Sequence, residues 1–148
     1  MKTKTYAAYG SNANIEQMSG RCPNAEIIGV GFIDDYKLTF RSGGFANIEK
    51  SSGDKVPVLV WKINEAHEAR LDFYEGYPSF YKKVELPVDM GEQSVQAMVY
   101  IMNDKARGGF TYPSQHYLNG VRDGYTANGM PMEYLEAALE ECRSAIAE

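Results

Sequence analysis

The sequence predicts an α+β fold: a curled, mainly antiparallel or mixed β-sheet, or a small β-barrel, flanked by helices. Two observations lead there. Strand-like and helix-like segments do not alternate regularly along the 148 residues, which argues against a doubly wound parallel sheet. Gly29 and Gly31 also fall inside one apolar strand pattern, and glycines so placed mark the bends and bulges through which a sheet curls.

The elements follow in order. Lys4 to Tyr9 is short, aromatic-rich and uncharged after Lys4, as suits a strand inside a sheet. Gly10 breaks it, letting the N–H groups of Gly10, Ser11 and Asn12 converge on one spot. Asn14, with Gln17 three residues on, has the spacing of a helix N-cap box. A helix beginning near Ile15 then turns its positive end to the same spot. Tyr6, Ala7, Ala8, Tyr9, Gly10, Ser11 and Asn12 are therefore a candidate anion pocket, with an ordinary strand-turn-helix join as the alternative.

Cys22-Pro23-Asn24 stops that helix. Ala25 to Ile33 and Tyr36 to Arg41 read as two strands of a hairpin about an Asp34-Asp35 turn. The second strand alternates Tyr36, Leu38 and Phe40 against Lys37, Thr39 and Arg41. Ser42 to Asp54, rich in Gly and Ser, reads as a long loop of the kind that covers sites. Lys55 to Ile63 is an apolar strand carrying Trp61. Asn64 caps a helix running to Glu75, and Gly76 stands where a left-handed stop is expected.

Tyr81 to Val88 and Ser94 to Met102 are strands joined by a polar turn, followed by an irregular loop from Asn103 to Pro113. Ser114 opens a helix carrying Tyr117 and Leu118, which Asn128-Gly129 ends. Pro131 suits the first turn of the last helix, where Leu135, Ala138, Leu139, Cys142 and Ile146 form one apolar stripe.

The totals bound the function. A chain of this length reads as one domain, residues 1–148, able to bury on the order of 70% of its extended surface. No apolar run approaches the ~18 residues that span a bilayer, and Met1 to Thr5 lacks the apolar stretch of a signal peptide. The expectation is a cytoplasmic protein without a membrane partner. A net charge of -5 without a Lys or Arg cluster argues against nucleic acid. Cys22 and Cys142 lie far apart, and His67 and His116 lack metal-ligand spacing, so neither a metal site nor a disulfide is expected. Both histidines read as surface or locally hydrogen-bonded residues. The oligomeric state stays open, a homodimer among the possibilities.

Glu75 is out of place at the carboxyl end of its helix, where the macrodipole disfavours a carboxylate by ~0.3–1 kcal/mol. Between Tyr74 and Gly76-Tyr77, it reads either as a group kept for raised proton affinity or as a solvated glutamate on a fraying end. Arg21 ends the first helix, and the dipole alone accounts for a cation there.

Several blocks change the weighing. Tyr9-Gly10-Ser11-Asn12, Arg21-Cys22-Pro23, Gly43 to Ile48, Leu71-Asp72-Phe73-Tyr74-Glu75-Gly76 and Gly129-Met130-Pro131-Met132-Glu133-Tyr134 resemble, in order and spacing, the signature of the γ-glutamylcyclotransferase family. The resemblance covers nearly the whole chain. It implies a cofactor-free enzyme that turns a γ-glutamyl amine or γ-glutamyl amino acid into 5-oxoproline and the free amine. Glu75 matches the family's catalytic acid/base, and Tyr81 and Tyr117 match tyrosines that line or order the site. The segment Gly76-Tyr77-Pro78-Ser79-Phe80 departs from the family pattern, on what is expected to be the leaving-group side.

Such a reaction suits a chain with no obvious nucleophile-base pair, because nucleophile and electrophile belong to one substrate molecule. Two other classes remain open at this stage: a non-catalytic binder of a small acidic or γ-glutamyl metabolite, and an interaction protein using its tyrosine-rich loops.

Overall fold

The computed structural model describes residues 2–148. Five strands, β1 (Thr3–Ala8), β2 (Glu26–Arg41), β3 (Phe45–Asn64), β4 (Tyr81–Asp89) and β5 (Ser94–Met102), close into a barrel in the order β1-β3-β2-β4-β5. Every pairing is antiparallel except β1 with β5, which is parallel at Tyr6 and Met98. Five helices flank it: α1 (Ile15–Arg21), α2 (Glu65–Glu75), the one-turn α3 (Asp104–Arg107), α4 (Gln115–Ala127) and α5 (Met132–Ala147). The mixed, curled sheet matches the expected class. No described helix is long and apolar enough to cross a membrane.

The long strands differ from the sequence expectation. Ala25 to Ile33 and Tyr36 to Arg41 do not form a hairpin with each other. They are consecutive parts of the 16-residue β2, and both pair with the 20-residue β3. Asp34-Asp35 is a bulge: Asp35 takes a left-handed φ of 63° and its carboxylate accepts from the Gly53 N–H at 3.1 Å. The expected loop from Ser42 to Asp54 shrinks to a turn at Ser42–Gly44, after which Phe45 already pairs with Arg41. The Asp34-Asp35 turn signal and the end of the expected loop, at Gly53, therefore face each other across the ladder. Cross-strand pairs such as Leu38 with Ile48 and Phe40 with Ala46, all buried, continue the sheet beyond them.

The expected bulge falls between Ile27 and Gly29, whereas Gly31 serves a close approach. A Cβ there would come within 2.7–2.8 Å of Val88, the Asp89 carbonyl and Met90, so glycine lets β4 reach β2 where the barrel is thinnest, a single Phe32–Asp89 pair. The core joins barrel and helices: Ile33, Phe40, Ile48, Leu59 and Ile63 are fully buried, as are Leu71, Leu135 and Leu139. The last helix buries Leu135, Ala138, Leu139 and Cys142 as its stripe predicts, but Ile146, in its last turn, is 53% exposed.

Helix ends are where the sequence and the structure agree most closely. The Asn64 side chain accepts from the His67 N–H at 2.8 Å, and the His67 ring accepts from the Asn64 N–H at 3.1 Å, a reciprocal cap. His67 is thus locally hydrogen-bonded as expected, though buried rather than on the surface. Gly76, at φ 65°, stops α2 as a left-handed cap. That stop fixes Glu75 as the last helical residue, facing the loop that follows β1.

Candidate active site

One cavity of about 180 Å³ collects the singled-out residues. It is lined by Tyr6, Ala7, Tyr9, Gly10, Ser11, Asn12, Glu75, Tyr81 and Tyr117, so the mid-chain carboxylate and the bend after β1 share one hollow. Of the candidates, only Ala8 is absent from the lining; it is buried in the ladder opposite Leu59. Phe45, Ala46, Tyr74, Phe80 and Tyr100 complete the wall.

The bend is built from β1 outward. Ser11–Ala13 forms a 3-10 turn in which the Ala13 and Asn14 N–H groups donate to the Gly10 and Ser11 carbonyls at 3.0 Å. The N–H groups of Gly10, Ser11 and Asn12 take no acceptor among the described residues, so they are available to an anion. Gly10 has a negative φ, and what it supplies is room: a Cβ would sit 3.1 Å from the Tyr117 hydroxyl and 3.2 Å from the Ala46 methyl.

The start of α1 does not join the site as expected. Asn14 accepts from the Gln17 N–H at 3.1 Å, as a cap should, but its amide donates to the Gly120 carbonyl of α4 at 2.9 Å. The first turn of α1 is thereby fastened to α4 and lies outside the lining. Gln17 does not return to its cap; its carbonyl accepts from Arg21 at 2.9 Å.

Glu75 is half-buried, and its one side-chain partner among the described residues is the Asn12 amide, at 3.4 Å from Oε1. Burial pushes its carboxyl up to about 7, while the nearby Arg21 charge pulls the other way. A carboxylate removed from water and left nearly unpaired holds its proton more tightly. Such a group exchanges protons near neutral pH.

The tyrosines around it stay protonated, because burial raises every one of them: Tyr6, Tyr9, Tyr81, Tyr100 and Tyr117. Their protons are not equally free. Tyr9 donates to the Tyr100 carbonyl at 2.6 Å, Tyr81 to the Ala46 carbonyl at 2.7 Å, and Tyr100 to Asp72 at 2.7 Å. Tyr6 instead accepts from Asn12 at 2.9 Å, and Tyr117 accepts from the Ala46 N–H at 3.1 Å. A phenol oxygen that accepts keeps its own proton to give. Tyr6 and Tyr117 can donate into the cavity, whereas Tyr81 fixes the strand that forms its wall.

Comparison with known proteins decides the family. The profile described as "Gamma-glutamyl cyclotransferase, AIG2-like" matches residues 6–119, most of the chain and every residue that lines the cavity. The chain belongs to that family. Mouse γ-glutamylcyclotransferase is 33% identical over 91% of this chain and 77% of its own length, and the human protein is 34% identical over 88% and 74%. A solved structure named γ-glutamyl cyclotransferase superposes with a TM-score of 0.80 over 97% of this chain and 88% of that one, at 29% identity. This γ-glutamylcyclotransferase-family chain is an enzyme.

Within this family member, four further wall residues were within reach of the sequence. Phe45 and Ala46 lie in the Gly43 to Ile48 block, Tyr74 lies in the block that carries Glu75, and Phe80 ends the divergent segment. Tyr100 carried no local signal: it alternates within β5 like any strand residue, and only barrel closure turns it toward the cavity. Arg21 holds four hydrogen bonds beside the site, to Ser11, Asn12, Gln17 and Tyr74. A cation serving only the dipole of α1 would not be spent in this way. No group of three or more metal-ligating side chains occurs among the described residues.

Proposed function

We propose that the enzyme cyclises a γ-glutamyl amine or γ-glutamyl amino acid to 5-oxoproline and releases the amine, with Glu75 carrying the protons. The observation that carries this reading is a single under-paired carboxylate, held near 7, in one cavity with free backbone N–H groups. The cavity is a little larger than one that accommodates a benzene-sized ligand, on the order of 150 Å³. It suits the glutamyl head, with the amine portion projecting past the more exposed rings of Phe45 and Tyr74.

The steps balance. Glu75 as carboxylate takes a proton from the α-ammonium of the substrate, and the freed nitrogen attacks the γ-carbonyl carbon. The C–N bond forms, and negative charge collects on the carbonyl oxygen, which needs donors aimed at it. Glu75 returns its proton to the departing nitrogen, the old C–N bond breaks, and the carbonyl re-forms as the lactam. The ring nitrogen loses two protons in all and the departing amine, leaving as an ammonium, gains two, so the carboxylate ends as it began. The Gly10–Asn12 amides and the Tyr6 and Tyr117 hydroxyls serve as donors to the oxyanion and to the substrate's α-carboxylate.

A panel of γ-glutamyl amines and γ-glutamyl amino acids, assayed for 5-oxoproline and released amine, tests the reading. Turnover of at least one compound is expected, abolished in Glu75→Gln with the fold and ligand binding retained. No turnover across the panel would favour a binding module. A binder of anions gains nothing from a carboxylate facing its ligand, so Glu75→Gln would then bind γ-glutamyl ligands as well or better.

A further inference from the structure

We propose that Arg21 is a positioning residue of this site: its guanidinium sets the orientation of the Asn12 amide and so joins the Gly10–Asn12 bend to the Glu75 carboxylate. This rests on the reading of Glu75 as the proton carrier.

Arg21 is the last residue of α1 and is half-buried. One guanidinium nitrogen donates to Asn12 Oδ1 at 2.5 Å and to Ser11 Oγ at 3.2 Å. The other donates to Gln17 Oε1 at 2.9 Å and to the Tyr74 hydroxyl at 2.7 Å, with the guanidinium carbon 3.6 Å from the Tyr74 ring centre. Arginine has only donors. The Asn12 oxygen must therefore face Arg21, which forces the Asn12 NH2 toward the Tyr6 oxygen at 2.9 Å and Glu75 Oε1 at 3.4 Å. An amide turned the other way would set NH2 against a cation and oxygen against a carboxylate. The Trp61 indole donates to the Asn12 carbonyl at 3.1 Å and holds the backbone of the same residue.

The same fork reaches Tyr74, the neighbour of Glu75 in α2, so one side chain ties together the two segments whose meeting makes the cavity. None of its recorded side-chain contacts goes to a backbone carbonyl of α1. Lysine carries the charge but not the planar fork that spans these partners.

The charge has its own consequence. The titratable groups that face Glu75 from the surrounding elements are Tyr6 on β1, Tyr9 after it, Tyr81 on β4, Tyr100 on β5 and Tyr117 on α4. All are phenols kept neutral by burial, whereas Arg21 is a cation opposing the effect of burial on Glu75.

The test compares wild type, Arg21→Gln and Arg21→Lys. Turnover of γ-glutamyl-alanine, or of the best substrate in the panel, is followed from about pH 5 to about pH 9. In parallel, the Glu75 carboxyl is titrated by carbon NMR on glutamate-labelled protein, its signal assigned by its loss in Glu75→Gln. In Arg21→Gln, the Glu75 midpoint and the acidic limb of kcat/KM should move up by roughly half to one pH unit. kcat should fall about 10- to 100-fold, with KM changed less. Arg21→Lys should restore the midpoint but not kcat, separating the charge from the fork.

An unmoved midpoint together with kcat within about two-fold of wild type, or full rescue by lysine, would overturn the proposal. If Arg21→Gln fails to fold, a kcat loss at an unchanged midpoint in Arg21→Lys still supports the fork. Should Glu75→Gln itself prove active, the proton-carrier reading falls, while the NMR titration separately reports whether Arg21 governs this carboxylate.

Discussion

Two half-buried glutamates of the same barrel, Glu49 on β3 and Glu75 at the end of α2, meet opposite fates. Glu49 accepts from Thr39 at 2.6 Å and from both sides of the Arg41 guanidinium at 2.7 and 2.9 Å. Those bonds outweigh its burial and hold its carboxyl below the usual range. Glu75 has one long contact to an amide, its nearest cation is already bound to Asn12, and burial raises it to about 7. Desolvation is the largest influence on both and is deeper at Glu75, so converging partners turn Glu49 into a structural ion pair while deeper burial with few partners raises Glu75. Glu49 ties the hairpin end of β2 and β3 together, and Glu75 keeps a single long contact in the cavity.

The most severe way to break the contrast is Glu75→Gln, for which turnover should fall about 10²–10⁴-fold while the circular dichroism spectrum is retained. Glu49→Gln should do the reverse. It leaves Arg41 without its charged partner and should cost about 1.5–3 kcal/mol, lowering Tm by roughly 3–12 °C, with kcat/KM within about threefold of wild type. A thermal melt beside a turnover assay separates the two.

Stability against pH sharpens the comparison further. For Glu49 the folded value is depressed, so its contribution is present above the unfolded carboxylate value and is lost as pH falls through the folded one. For Glu75 the folded value is raised, so its contribution is full below the unfolded value and is lost as pH rises toward about 7. Glu75→Gln should therefore match wild type near pH 4.5 and be more stable near pH 8. The gain is at most on the order of 3 kcal/mol, at about 1.4 kcal/mol per pH unit. Melts of both proteins across that range check the sign.

The smallest effect is expected at the rim. Phe45 is 42% exposed and packs edge-on against Phe80 and Tyr117. Phe45→Ala should raise KM by about three- to tenfold for γ-glutamyl amines with a bulky apolar amine, and leave γ-glutamyl-methylamide nearly unchanged.

Legibility tracked the range of the interactions. Asn64 and Gly76 announce the bounds of α2 because a cap is decided within one helical turn. The Asp34-Asp35 signal misled for the complementary reason: a bulge and a turn use the same residues, and the distant partner strand decides which one forms. Arg21 was hidden likewise, since a cation at a helix end has an adequate local explanation until Asn12 and Tyr74 are seen around it.

The four longer helices, the cap and stop of α2 and the oddity of an acid at its carboxyl end were determined by the sequence itself, since each depends on neighbours along the chain. Tertiary structure alone decided that barrel closure brings Tyr100 and Phe45 to the same hollow, that Tyr81 donates to a carbonyl while Tyr117 keeps its proton, and that Asn12 sits hydrogen-bonded between Arg21 and Glu75. Those outcomes depend on which donor meets which acceptor across the fold. Burial, which sets the proton affinity of Glu75, likewise exists only once the distant segments have closed around it.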